Sequence, residues 1–210
     1  MSDYATLVAT LEGFRERAQG RPLTLGEVLD SIEEASFCFF AIILVLPFLT
    51  PVSLGPLATA GGLVFAAMGW QMWRGHKVPV LPQRVRRIEV GAQTWEVATR
   101  VCLKILGWCR KVTRPRYTRL VSGAPGRRNS GLVLMAGGLL MAIPFFGLPF
   151  NNALPGLAIL FVCVAELEQD GLMLFGALFW LAVTVIYFSV VLAVVAVLGD
   201  QAWAYLGSLL

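Results

Sequence analysis

The sequence predicts an all-α, polytopic helical membrane protein in which two proline-broken hydrophobic repeats flank a basic amphipathic cytoplasmic helix. Three observations lead there. Of 210 residues, 57% are hydrophobic and only 14% charged, and the mean hydropathy of +0.73 lies outside the range of an ordinary soluble domain. The stretches 35–73, 131–165 and 171–199 hold no Asp, Glu, Lys, Arg or His. Each exceeds the roughly 20 apolar residues that cross a bilayer as a helix, and none carries the charged faces that interrupt a soluble core. Finally, fourteen of the seventeen Lys and Arg residues fall between Arg74 and Arg128, against two acids there, Glu89 and Glu96.

Residues 1–34 form a polar, amphipathic N-terminal region. With seven acids and no apolar h-region, it reads as a retained segment and not a secretory leader. Thr24 followed three residues later by Glu27 is a capping box, which satisfies two free amides at a helix start. The helix it opens runs into the first broken repeat, residues 35–73, and should stop at Pro47. Proline removes an amide donor and crowds the preceding turn, and Pro47, Pro51 and Pro56 occur within ten positions. Groups freed inside lipid need protein or a wet cavity to bond. A second helix is expected from Leu57 to Trp73, so the unit either crosses twice or re-enters.

The basic segment, residues 74–129, belongs in the cytoplasm by the positive-inside rule. Val85, Ile88, Ala92, Trp95, Ala98, Cys102, Ile105 and Cys109 recur at helical spacing, while Arg84, Arg86, Arg87, Arg100, Lys104, Arg110 and Lys111 fall off that stripe. Such a helix lies on membrane lipids with its cations among anionic headgroups, or packs on the protein's own cytoplasmic face. No nucleic-acid-binding motif accompanies the charge, so no nucleic-acid partner is expected. Pro115 and the run 123–126 (Gly-Ala-Pro-Gly) read as a helix stop and a linker.

Residues 130–171 repeat the layout of the first unit: an apolar helix, a break at Pro144 and Pro149, and a new run at Pro155. Paired proline-interrupted segments in two halves point to a transporter-type site near the membrane midplane. Residues 172–210 form the uninterrupted C-terminal transmembrane helix.

The candidate binding residues are polar groups next to these breaks. Glu166, Glu168 and Asp170 are wedged between apolar runs, either as a hydrophilic turn or, with Glu166 drawn inward, as a proton or cation site. Glu27, Asp30 and Glu34 make a second acidic stripe approaching the first break. Asn151 and Asn152 lie in the second break, as turn formers or as ligands for a polar substrate; Thr50 and Ser53 occupy the first. His76 is the single histidine, and no GxSxG, GxxxxGK[ST] or GxGxxG motif is present. The four cysteines form no metal-ligand spacing and read as packing residues. No catalytic residue, metal or cofactor is expected, and the chain does not read as an enzyme.

Four motifs, Leu25-Gly26-Glu27-Val28-Leu29-Asp30 before the run to Pro47, Gly75-His76-Lys77-Val78-Pro79-Val80-Leu81-Pro82, Pro149-Phe150-Asn151-Asn152-Ala153-Leu154-Pro155 and Glu166-Leu167-Glu168-Gln169-Asp170-Gly171, resemble the bacterial ExoD-type exopolysaccharide-synthesis membrane protein family. The resemblance covers residues 22 to 195, with Val80 in place of an aromatic and Gln169 in place of a basic residue. It implies a multi-pass protein of the bacterial inner membrane linked to exopolysaccharide production. Two functions follow as expectations. One is a homo-oligomeric transporter-like protein moving an ion or a lipid-linked or anionic precursor through the broken repeats. The other is a scaffold recruiting polysaccharide-synthesis proteins through its basic segment.

Overall fold

The computed structural model describes residues 13, 23–24, 26–27, 36–50, 54–80, 83–87, 89–90, 93, 96–97, 100–101, 104, 107, 113–145 and 147–207, with side chains as far as 198. Five helices dominate them: α1 (Ser36–Val45), α2 (Pro56–Trp73), α3 (Gly123–Ala142), α4 (Ala153–Glu168) and α5 (Gly171–Gly207). The described residues also include a single helical turn, Gln83–Arg86, 3-10 turns at Leu46–Leu49 and Thr118–Leu120, helical positions at 13, 26–27, 93, 96–97, 100–101, 104 and 107, and a two-residue antiparallel pairing of Leu23–Thr24 with Glu89–Val90.

Proline sets the ends of the first two helices, as the sequence predicts. α1 stops at Val45, two residues before Pro47, and the chain tightens into a 3-10 turn, Leu46–Leu49. The Thr50 hydroxyl donates to the Pro47 carbonyl at 3.0 Å, satisfying one acceptor that the helix no longer uses. α2 opens with Pro56 in its first turn, where a missing amide costs nothing. Gly55 before it takes φ 56°, a conformation that a side chain would strain. The Thr24–Glu27 capping box forms in both directions, at 3.0 and 3.3 Å.

Two sequence expectations are corrected. The Gly-Ala-Pro-Gly run 123–126 is no linker, because it forms the first turn of α3, which starts eight residues before Gly131. Pro125 is tolerated there since first-turn amides have no partner within a helix. The basic helix is not continuous through its stripe either. Glu89 and Val90 are extended and pair with Val90 opposite Leu23 and Glu89 opposite Thr24, so a backbone ladder overrides the helical periodicity there.

α2 and α3 form the most extensive contact, antiparallel and backbone against backbone. A Cβ on Gly62 would lie 2.5 Å from the Ala142 amide nitrogen and 2.6 Å from the Gly138 carbonyl oxygen; one on Gly69 would lie 2.6 Å from the Gly131 oxygen. The converse holds for Gly131 against the Trp73 nitrogen (2.7 Å) and Gly138 against the Gly62 oxygen (2.7 Å). Two glycines seven residues apart on each helix thus interlock, the small-residue packing typical of helices associating in lipid. α4 packs on α3, α5 and α1, and Phe37, Phe39, Ile42, Leu134, Met141 and Ile159 fill the core between them.

Both proline breaks lie at the same end of this bundle, which we call the tip. Gly156 at the start of α4 faces Val45 and Leu49, the Tyr187 hydroxyl donates to the Pro149 carbonyl at 2.7 Å, and Phe145 stacks at 4.7 Å on Phe188. The opposite end, the base, gathers the end of α2, the start of α3, the end of α4 and the start of α5. Within α5, Gly171–Leu198 is the one helix among the described residues long and apolar enough to cross a membrane. Large apolar side chains also face outward on α2 and α3, including Leu57, Leu63, Trp70, Leu132 and Leu139.

Candidate functional site

The base holds a polar network inside the helix packing. Ser130 on α3 is 1% exposed, and its hydroxyl donates to Glu166 Oε2 on α4 at 2.5 Å. One turn earlier on α3, Arg127 is also buried; its Nη2 donates to the carbonyls of His76 (3.1 Å) and Lys77 (2.8 Å), and its guanidinium stands 5.7 Å from the Phe37 ring. On the side of α1, the buried Cys38 and Cys163 thiols are neighbours within the same cluster. Helical spacing explains the grouping: Arg127 and Ser130 are three apart on α3, Cys163 and Glu166 three apart on α4, so each pair shares a face.

The rest of the acidic motif shapes a corner. Asp170, 1% exposed, accepts the Leu172 amide at 2.9 Å as the N-cap of α5 and the Arg114 amide at 3.1 Å. The Gly171 amide donates to the Arg116 carbonyl at 2.7 Å, so the end of the basic segment is sewn to the α4–α5 turn. Gln169 takes φ 53°, closing α4, and its Nε2 donates to the Glu166 carbonyl at 2.8 Å. Glu168 is half-buried alongside. Asp170 is therefore engaged by backbone, while Glu166 points into the bundle.

Asn151 and Asn152 lie at the tip. The distance along α4 from Asn152 to Glu166 is about 21 Å at 1.5 Å per residue, so the expected grouping of both polar sites around the breaks is not what forms. Asn151 Nδ2 donates to the Phe145 carbonyl at 2.8 Å. Asn152 is 1% exposed, and neither of its amide atoms has a hydrogen-bond partner among the described residues. Phe150 before them sits at φ 61°, a left-handed conformation costing a bulky residue about 1–2 kcal/mol. This outlier directly precedes the two buried amides. Pro144 and Pro149 are exposed at this end, as are Pro47 and Pro56, while Pro155 is buried.

Of the other predicted residues, Glu27 is half-buried in its capping box, and Arg86 packs over Gly26 with Nε 3.2 Å from where a Cβ would stand. Arg87 and Lys104 are exposed, and Arg100 is paired with Glu96 at 2.8 Å. Asp30, Glu34, Ser53, Pro51, Arg110, Lys111 and the side chain of Arg84 lie outside the described residues. Sequence reasoning missed Arg127, Ser130 and the Cys38–Cys163 contact. The run Arg127-Arg128-Asn129-Ser130 abutting a charge-free stretch was the available signal, hidden by the misplaced start of α3.

This geometry defines a class: an all-helical bundle with an apolar exterior, one membrane-length helix, and buried polar groups at both ends of α4. Residues 7–190 match the family described as exopolysaccharide synthesis, ExoD. The chain is 33% identical over 185 residues to Protein ExoD of Rhizobium meliloti (strain 1021), covering 88% of this chain and 77% of that protein. No solved structure matches it. The chain belongs to the ExoD family, a family implicated in exopolysaccharide synthesis.

Proposed function

We propose that this chain is a multi-pass protein of the bacterial inner membrane that supports exopolysaccharide synthesis as a homo-oligomeric transporter, moving an ion or a lipid-linked or anionic precursor, and that it performs no covalent chemistry. The observation that carries this reading is one stripe of α4. Asn152, Gly156, Ile159, Cys163 and Glu166 follow at spacings of four, three, four and three, and so share a face that runs from tip to base. Of these five, Asn152, Gly156, Ile159 and Cys163 are buried. Polar or small groups occupy four positions, and Ile159, seated against Gly137, plugs the middle. Buried polar groups in a lipid-embedded bundle are costly and characteristically mark ion or substrate paths.

The layout of the two halves supports the same reading. Each is a helix, a proline break at the tip, and a helix returning to the base. The tips carry no charged residue between 35 and 73 or between 131 and 165. We read them as internal repeats that enter from the basic, cytoplasmic side and turn within the membrane, leaving α5 as the one continuous crossing.

The test is transport or lipid scrambling in liposomes holding purified protein. Glu166→Gln and Asn152→Leu should each lower the rate about tenfold or more, since each removes a polar station from a shared path. Wild-type rates in both variants overturn the transport reading. The exposure of Arg87 and Lys104 favours a second reading, a scaffold that recruits synthesis proteins or anionic lipid. It requires that charge reversal at Arg87 and Lys104 abolish exopolysaccharide production while both α4 variants leave it intact.

A further inference from the structure

We infer that Arg74, Arg128 and Trp73 form a binding site for the phosphate of an anionic phospholipid headgroup, at the base where α2 ends and α3 begins. A cavity of about 280 Å³ is lined by these three residues. Neither guanidinium has a carboxylate partner among the described residues, and both cations line one hollow. Arg74 Cζ stands 4.6 Å from the Trp70 ring centroid, a cation–π contact that anchors the guanidinium beside the cavity. An arginine presented this way grips two phosphate oxygens at once.

The site is held rigid from two sides. Gly131 packs against the Trp73 backbone, and Arg128, three residues earlier on the same face of α3, is thereby brought beside Arg74. Arg127 fixes the following turn through its bonds to the His76 and Lys77 carbonyls. The backbone that carries the two arginines is fixed by these contacts, which confines the ordering cost of binding to their exposed side chains.

Its position selects a lipid over a free anion. Trp70 and Trp73 are 44% and 40% exposed, and tryptophans on an apolar helix one turn before a basic cluster mark the headgroup level of a membrane. A phosphate carried on acyl chains reaches that level with its tails along the outward-facing Leu63 and Leu132. A zwitterionic headgroup would bring its own cation against two guanidiniums. This inference rests on membrane residence and is independent of transport.

The experiment titrates the purified full chain in detergent with dihexanoyl-phosphatidylglycerol, dihexanoyl-phosphatidylcholine or inorganic phosphate, following bound lipid by native mass spectrometry. Phosphatidylglycerol should bind the wild type at least tenfold more tightly than either other probe. The pair Arg74→Gln with Arg128→Gln should weaken it about thirty-fold, near a factor of five for each cation. Arg116→Gln with Arg119→Gln, two exposed arginines elsewhere, should leave it unchanged. Equal binding in the first pair, equal loss in the second pair, or phosphate saturating at the phosphatidylglycerol concentration would each overturn the site.

Discussion

The two ends of the bundle differ in how their most deeply buried polar side chains are answered, although the base too keeps one buried hydroxyl, Thr113 Oγ1, without a hydrogen-bond partner among the described residues. At the base, Ser130 answers Glu166, Arg127 answers two backbone carbonyls, and Asp170 answers two amides. At the tip, Asn152 is as deeply buried as Ser130, and both of its amide atoms go without a partner among the described residues. Burying a polar group without a hydrogen bond costs about 1–3 kcal/mol in mutational data. The base therefore reads as a network that holds helices together, and the tip as a place where stability is given up for polarity.

The largest effect should come where both ends depend on the same backbone contact. Gly69→Leu, forced against the Gly131 carbonyl, should cost about 3 kcal/mol or more and leave little folded protein by size exclusion. Next, Ser130→Ala and Asp170→Ala should each lower thermal stability by about 1–3 kcal/mol, as loss of a buried bond or a helix cap does. The tip should respond with the opposite sign. Asn152→Leu keeps the branched shape, with a somewhat larger volume, and removes the unanswered amide, so stability in detergent should rise by about 1 kcal/mol while exopolysaccharide production in cells falls. A fall in stability there would erase the contrast between the ends. The smallest effect belongs to Arg100→Ala, an exposed pair with Glu96 at positions four apart, which should change stability by less than about 0.5 kcal/mol.

Much of the helical plan was legible because it depends on local chemistry. Pro47 and Pro56 set the end of α1 and the start of α2, the Thr24–Glu27 box formed as spaced, and the charge-free run after Asp170 became α5. What failed depended on distant partners. A Gly-Ala-Pro-Gly run suits a linker and a helix's first turn equally, and the choice at 123–126 follows from Gly126 packing on Val121 and Arg127 reaching residues 76 and 77. The strand at Glu89–Val90 needs Leu23 and Thr24 across from it. Glu166, Asn151 and Asn152 were found by type and Arg127 and Ser130 were not, and the division between tip and base follows from the antiparallel packing, which no single segment encodes.

The interlocked glycines of α2 and α3 also bear on how the molecule moves. Each backbone sits in a notch of the other, and sliding to the next notch would take seven residues, about 10.5 Å at 1.5 Å per residue. Small rearrangements cannot pass between such positions, so α2 and α3 travel as one stator. If the proposed transport involves alternating access, that rigid pair leaves α4 and its neighbours, α1 and α5, as the elements that would move against it. Under the proposed transport, the surface between that pair and α4 would include Gly137 beneath Ile159, a seat with no side chain of its own.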